Sequence, residues 1–119
     1  MQDTTEQPTP LSITQTTTAA GIRVLVLNGE IDSDNVDLLR GALQADVGGA
    51  PRFVLELSAV TFVDSSTISV LASAHGTAVS AGGWVRLAAM SHPVQRVVEL
   101  VGLNTVLACY PTLGQALAD

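Results

Sequence analysis

The sequence predicts an α/β domain with the element order ββαβαβαβα and a mostly parallel mixed sheet covered by helices. Three observations carry this reading. Short runs rich in Val, Leu and Ile alternate with longer segments whose apolar residues recur at helical spacing. Strands that alternate with helices take right-handed crossovers and pair in parallel. The 119 residues, 47% of them hydrophobic, suffice for one packed core without metal or disulfide staples.

Residues 1–10, MQDTTEQPTP, form a polar leader expected to fray, and the domain is assigned to residues 11–119. LSITQTTT begins with an apolar–polar alternation and suits an edge strand. A turn at Ala20-Gly21 leads to IRVLVLNG, a second strand whose middle, Val24 to Val26, is apolar; the two are expected to pair as a hairpin. The period then changes. Val36, Leu39 and Leu43 make one helical stripe, interrupted by Arg40 and slightly widened by Ala42. Asp32, Ser33 and Asp34 are its cap candidates, and Gly48-Gly49 its stop.

RFVLELS is the next strand, apolar except for Glu56, as in a sheet covered on both faces or nearly so. TISVLASAHGTAVSA follows as a helix ended by Gly82-Gly83, then WVRLAAM as a strand. HPVQRVVELVG is a helix with Pro93 in its first turn and Gly102 at its stop. TVLACY is the last strand. PTLGQALAD is a short closing helix starting at Pro111 or Thr112.

Charge and residue usage exclude several classes of function. A net charge of −6 opposes nucleic acid and anionic membranes, which need a basic footprint. All five basic residues are Arg, so Schiff-base and P-loop lysine chemistry is absent. Cys109 is the single cysteine, which rules out an internal disulfide and a cysteine-built zinc site. The start lacks the basic and apolar regions of a secretory signal, and no apolar stretch reaches membrane-spanning length. The plain expectation is a cytoplasmic protein.

The polar knot Asp64-Ser65-Ser66-Thr67 interrupts an apolar run in which Phe62, Val63, Ile68 and Leu71 are all expected to be buried. A hydrolytic triad of Asp64, Ser66 and His75 fails on geometry. On one helix, nine residues turn about 900° and rise roughly 13 Å, so Ser66 and His75 cannot touch. No G-x-S-x-G elbow is present. His75 is expected beside the packed face with Ala72 and Val79, and His92 merely precedes Pro93 at a helix start. Neither forms a metal-ligand spacing, so no metal, cofactor or catalytic residue is assigned. Glu30, Asp32, Asp34 and Asp37 form an acidic patch without the spacing of an EF-hand loop; it reads first as solvated charge around a helix N-terminus and second as a face for a basic partner.

Two readings of the knot stay open on the residues alone. Asp64 or Ser65 caps a helix, and the other hydroxyls occupy its exposed first turn. Alternatively the cap is also a switch: a phosphoryl group there would meet helix N-terminal amides yet be repelled by Asp64 and the acidic patch.

LNGEID, VLELSAVTFVDSSTISVL and HPVQRVVELVGLNTVLACYPTLGQAL together resemble the STAS domain of bacterial anti-sigma factor antagonists, with matching spacing from about Leu11 to Leu117. The resemblance implies a regulatory binding module and not an enzyme. In that family the unphosphorylated antagonist binds an anti-sigma factor, a serine kinase with a histidine-kinase-like ATPase fold, and frees a sigma factor. The kinase phosphorylates a serine of the Asp-Ser-Ser element, and a metal-dependent serine/threonine phosphatase reverses the step. By position the acceptor is Ser65, with Ser66 and Thr67 as neighbouring candidates. Glu30, Asp32, Asp64, Ser65, Ser66 and Thr67 form the implied partner-binding set. Thr67 stands where the family usually has Gly; it is bulkier and offers a further hydroxyl. The expected free chain is a monomer. The competing expectation is a STAS scaffold or transport-associated module that is never phosphorylated.

Overall fold

The computed structural model describes residues 9–44 and 49–118. β1 (Ser12–Thr17) and β2 (Arg23–Ile31) lead to α1 (Val36–Leu43), β3 (Arg52–Val63) and α2 (Ser65–Ser80). β4 (Trp84–Ala88), α3 (His92–Leu100), β5 (Ala108–Tyr110) and α4 (Leu113–Leu117) complete the order ββαβαβαβα. A 3₁₀ turn at Leu103–Thr105 shortens the last strand relative to TVLACY.

The strands lie in the spatial order β1-β2-β3-β4-β5, with β1 antiparallel to β2 and every other pair parallel. Successive right-handed crossovers in one direction place their helices on one face. The packing follows: Leu25, Leu27, Phe53, Leu55, Leu57, Val85 and Leu87 share a core with the inward residues of α1, α2 and α3. Strand side chains alternate between faces. The opposite face holds a smaller cluster of Ile22, Val54, Ala88 and Ala116, covered by α4. There Arg86 lies 3.7 Å from the centre of the Trp84 ring and donates to the Ala116 carbonyl at 2.9 Å, clasping the end of α4. Glu56 points to this thinner face and is half-buried, its carboxylate accepting from the Ser58 hydroxyl and amide.

Val36, Leu39 and Leu43 are buried as their spacing predicts. The N-cap of α1 is Asn35 and not Asp32, Ser33 or Asp34. Asn35 turns its side chain backwards: its oxygen accepts from the Asp32 amide and its nitrogen donates to the Glu30 carbonyl. Gly48, half of the expected stop, lies outside the described residues, as do residues 1–8 of the leader. Thr9 accepts from the Glu30 amide at 3.0 Å.

Strand β3 continues five residues beyond the expected RFVLELS, because Ala59 to Val63 pair with β2 up to Ile31. Two register shifts interrupt this pairing, between Val26 and Asn28 and between Gly29 and Glu30. Such bulges re-aim side chains. Here they turn Val60 inward, whereas Val63 and Phe62 keep the alternation set by Leu55 and Leu57. Phe62 thus lies on the opposite face, outside the cluster that α4 covers, and is 46% exposed and not buried as expected. Val63 and Leu71 are buried and Ile68 is half-buried. Helix α2 begins at Ser65, two residues earlier than the hydrophobic pattern suggests. Its inward stripe is Thr67, Val70, Leu71 and Ala78, which leaves Val79 exposed and corrects its expected place beside His75.

Candidate functional site

Because β2 and β3 are parallel neighbours and Ile31 pairs with Val63, the segments that follow them leave the sheet side by side. The acidic β2–α1 loop and the polar knot therefore meet at one corner, outside the carboxyl ends of the strands. This is where open α/β sheets commonly carry their sites.

Asp64 organises the corner. It is the N-cap of α2 in an extended conformation, and its Oδ1 accepts from the Ser66 amide at 3.0 Å and the Thr67 amide at 3.3 Å. The Ser66 hydroxyl donates to the same oxygen. Oδ2 reaches across the corner and accepts from the Ser33 amide at 3.1 Å. The Ser66 hydroxyl, supported by the Thr67, Ser33 and Ser66 amides, holds the carboxyl below its usual value against an opposing push from burial.

The three hydroxyls of the knot have three different environments. Ser65, the first helical residue, is exposed, and among the described residues its hydroxyl has no hydrogen-bond partner. Ser66 is half-buried and committed to Asp64. Thr67 is 1% exposed, and its hydroxyl donates to the Ile31 carbonyl at 3.2 Å. This corrects the expectation that Thr67 offers an accessible acceptor or a partner contact. The inward stripe places it in the core, where its hydroxyl satisfies a β2 carbonyl.

Glu30 and Asp32 are half-buried at the same corner, while Asp34 and Asp37 are exposed. The Asp34 amide donates to the Asp32 carboxylate at 3.0 Å, and Asp37 is ion-paired with Arg40. Sequence reasoning missed the Ser33 amide, the brace at Asn35 and the exposed ring of Phe62. Asp-Asn turn chemistry was a usable signal for the brace; nothing local signalled the Ser33 amide. His75 lies well along α2, and its Nδ1 accepts from the Val85 amide at 3.1 Å, so that nitrogen serves β4 rather than a serine. Among the described residues no group of three or more His, Cys, Asp or Glu could hold a metal ion. No helix among them is long and apolar enough to cross a membrane.

A model of the STAS domain family matches residues 14–116, which include both loops of this corner. The chain belongs to the STAS domain family. An anti-sigma F factor antagonist of Paenibacillus polymyxa is similar to this STAS domain, 27% identical over 103 residues that span 83% of this chain and 86% of the relative. The crystal structure of an anti-sigma factor antagonist from Mycobacterium paratuberculosis superposes with a TM-score of 0.80 at 29% identity. That alignment covers 91% of this chain and 92% of the other. The phosphorylated form of the Bacillus cell fate determinant SpoIIAA shares the fold, with a TM-score of 0.68 at 20% identity over 88% of this chain and 96% of the other.

Proposed function

We propose that this STAS domain is an anti-sigma factor antagonist, a binding module and not an enzyme, whose contact with its anti-sigma factor is switched by phosphorylation of Ser65. The observation that carries the reading is the contrast within the knot. Ser65 alone of the three hydroxyls is both exposed and without an internal partner, at a helix N-terminus beside an acidic loop. A kinase needs such a hydroxyl, and a phosphoryl group adds about −1.5 to −2 charges there. Similar proteins named as antagonists support the partner class.

In this reading the unphosphorylated domain engages an anti-sigma factor that is itself a serine kinase and so releases a sigma factor in the cytoplasm. A serine/threonine phosphatase restores the active form. Glu30, Asp32, Asp64, Ser65 and Ser66 lie in the contact, and the free chain is a monomer.

The test is a pull-down from the native cell with wild type and with Ser65→Asp, followed by ATP labelling of the captured complex. Expected results are a serine kinase retained by wild type, weakened capture by Ser65→Asp, and a label that maps to Ser65 and disappears in Ser65→Ala. A label that persists in Ser65→Ala removes the site assignment. Capture of a large unlabelled assembly or a transporter supports a constitutive scaffold instead.

A further inference from the structure

We propose that Asp64 is a positioning residue that ties the β2–α1 loop to the α2 N-terminus, and that a phosphoryl group on Ser65 loosens this tie. The second half rests on the reading of Ser65 as the acceptor; the first half does not.

The two oxygens of Asp64 have separate duties. Oδ1 alone receives the donors that belong to α2: the Ser66 and Thr67 amides, the Ser66 hydroxyl and, at 3.5 Å, the Thr67 hydroxyl. Capping a helix requires no more than this. Oδ2 is directed away from the helix and accepts from Ser33, 31 positions earlier in the chain.

The loop that receives this bond is braced from within. Asn35 accepts from the Asp32 amide and donates to the Glu30 carbonyl, and the Asp34 amide donates to Asp32. These bonds hold it as one turn. It is fastened to α2 at two points: at its root, where Thr67 donates to the Ile31 carbonyl, and at its tip, where Ser33 donates to Asp64. The root is buried, whereas Ser33 and Asp34 are exposed. The tip is therefore the fastening that can open without exposing core, because water can replace Asp64 at the Ser33 amide.

Ser65 directly follows Asp64. A phosphoryl group on it would repel the Asp64 carboxylate at short range and offer its own oxygens to the amides of the first α2 turn. Both effects act on Asp64, and among the described residues the Ser33 bond is the only one of its hydrogen bonds that crosses to the acidic loop. Loosening it would change the placement of Asp32 and Asp34 relative to α2. The switch would then alter the shape of the partner surface as well as its charge.

Asparagine separates the two duties. It caps helices as well as aspartate does. In Asp64→Asn the amide oxygen keeps the place of Oδ1, while the NH₂ group confronts the Ser33 N–H, donor against donor. The experiment measures residue-resolved amide hydrogen exchange by NMR on the full chain. It compares wild type, Asp64→Asn, and a chain with phosphoserine installed at position 65 during translation, so no kinase is needed. Expected is roughly tenfold faster exchange at Ser33 in both altered chains, with Val70 and Leu71 of α2 changed by less than about twofold. Unchanged exchange at Ser33 in Asp64→Asn overturns the tie. Unchanged exchange at Ser33 in the phosphorylated chain overturns its coupling to Ser65, whatever the labelling experiment finds. Equal acceleration at Ser33 and throughout α2 reduces Asp64 to a cap and also overturns the proposal.

Discussion

The Thr67 hydroxyl donates to the Ile31 main-chain carbonyl at 3.2 Å, joining the end of β2 to the first turn of α2 across 36 positions of sequence. Thr67 is the only buried polar residue among those described. Thr67→Val keeps the shape and removes the donor, leaving a buried carbonyl without its partner. A loss of about 1–3 kcal/mol in urea-unfolding stability is expected. Phosphopeptide mapping should find no label at Thr67, and labelling of Ser65 should persist in the variant.

The pH dependence of stability should carry the signature of Asp64. Its folded carboxyl lies below the usual 3.8, so the unfolded chain binds protons more readily. Stability from this group is complete above the unfolded value and is lost as pH falls through the lower folded value. Asp64→Ala should cost about 0.5–2 kcal/mol near neutral pH. The gap from wild type in urea unfolding should narrow as pH falls below 3.8; a gap that stays constant would contradict the hydrogen-bond account of Asp64.

Gly29 tests the anchoring of residues 9 and 10. Its φ is +96°, and a Cβ there would lie 2.5 Å from the Pro10 carbonyl oxygen and 2.7 Å from that of Thr9. Gly29→Ala therefore combines a disfavoured conformation with backbone overlap, for an expected loss of about 2–4 kcal/mol. Deleting residues 1–10 should relieve the overlap but not the conformational cost. Thermal unfolding of the single and combined changes checks this.

His75→Leu leaves the Val85 amide without its acceptor, next to a side chain that is 1% exposed. The expected loss is about 1–3 kcal/mol in chemical unfolding. Transfer of label to Ser65 should survive at a temperature where the variant is folded. Loss of labelling from a fully folded variant would give His75 a role that its contact with β4 does not.

Much of the fold was legible because its signals are local. The Val36, Leu39 and Leu43 stripe, Pro93 in the first turn of α3 and the valine-rich strands each report on their own segment. The errors had different causes. Phe62 lies on the face opposite Leu55 and Leu57, outside the cluster that α4 covers, which the apolar run by itself does not show. Asp32, Ser33, Asp34 and Asn35 are all good caps by residue type, and Asn35 occupies the position because its side chain bonds back to Asp32 and Glu30. The spacing of Thr67, Leu71 and Ala78 was a readable sign that Thr67 belongs to the inward stripe of α2, but its hydroxyl masked it.

The amino-acid sequence by itself determined the order of elements, the exclusion of lysine and disulfide chemistry, and the presence of a carboxylate and three hydroxyls where a strand turns into a helix. Tertiary structure decided which hydroxyl faces outward. Spacing could set Thr67 apart, but Ser65 and Ser66 are identical and adjacent, so composition and spacing could not rank them. A helix turns about 100° per residue. Once Asp64 sets its first residue, that rotation leaves Ser65 in solvent, Ser66 against the cap and Thr67 under the end of β2.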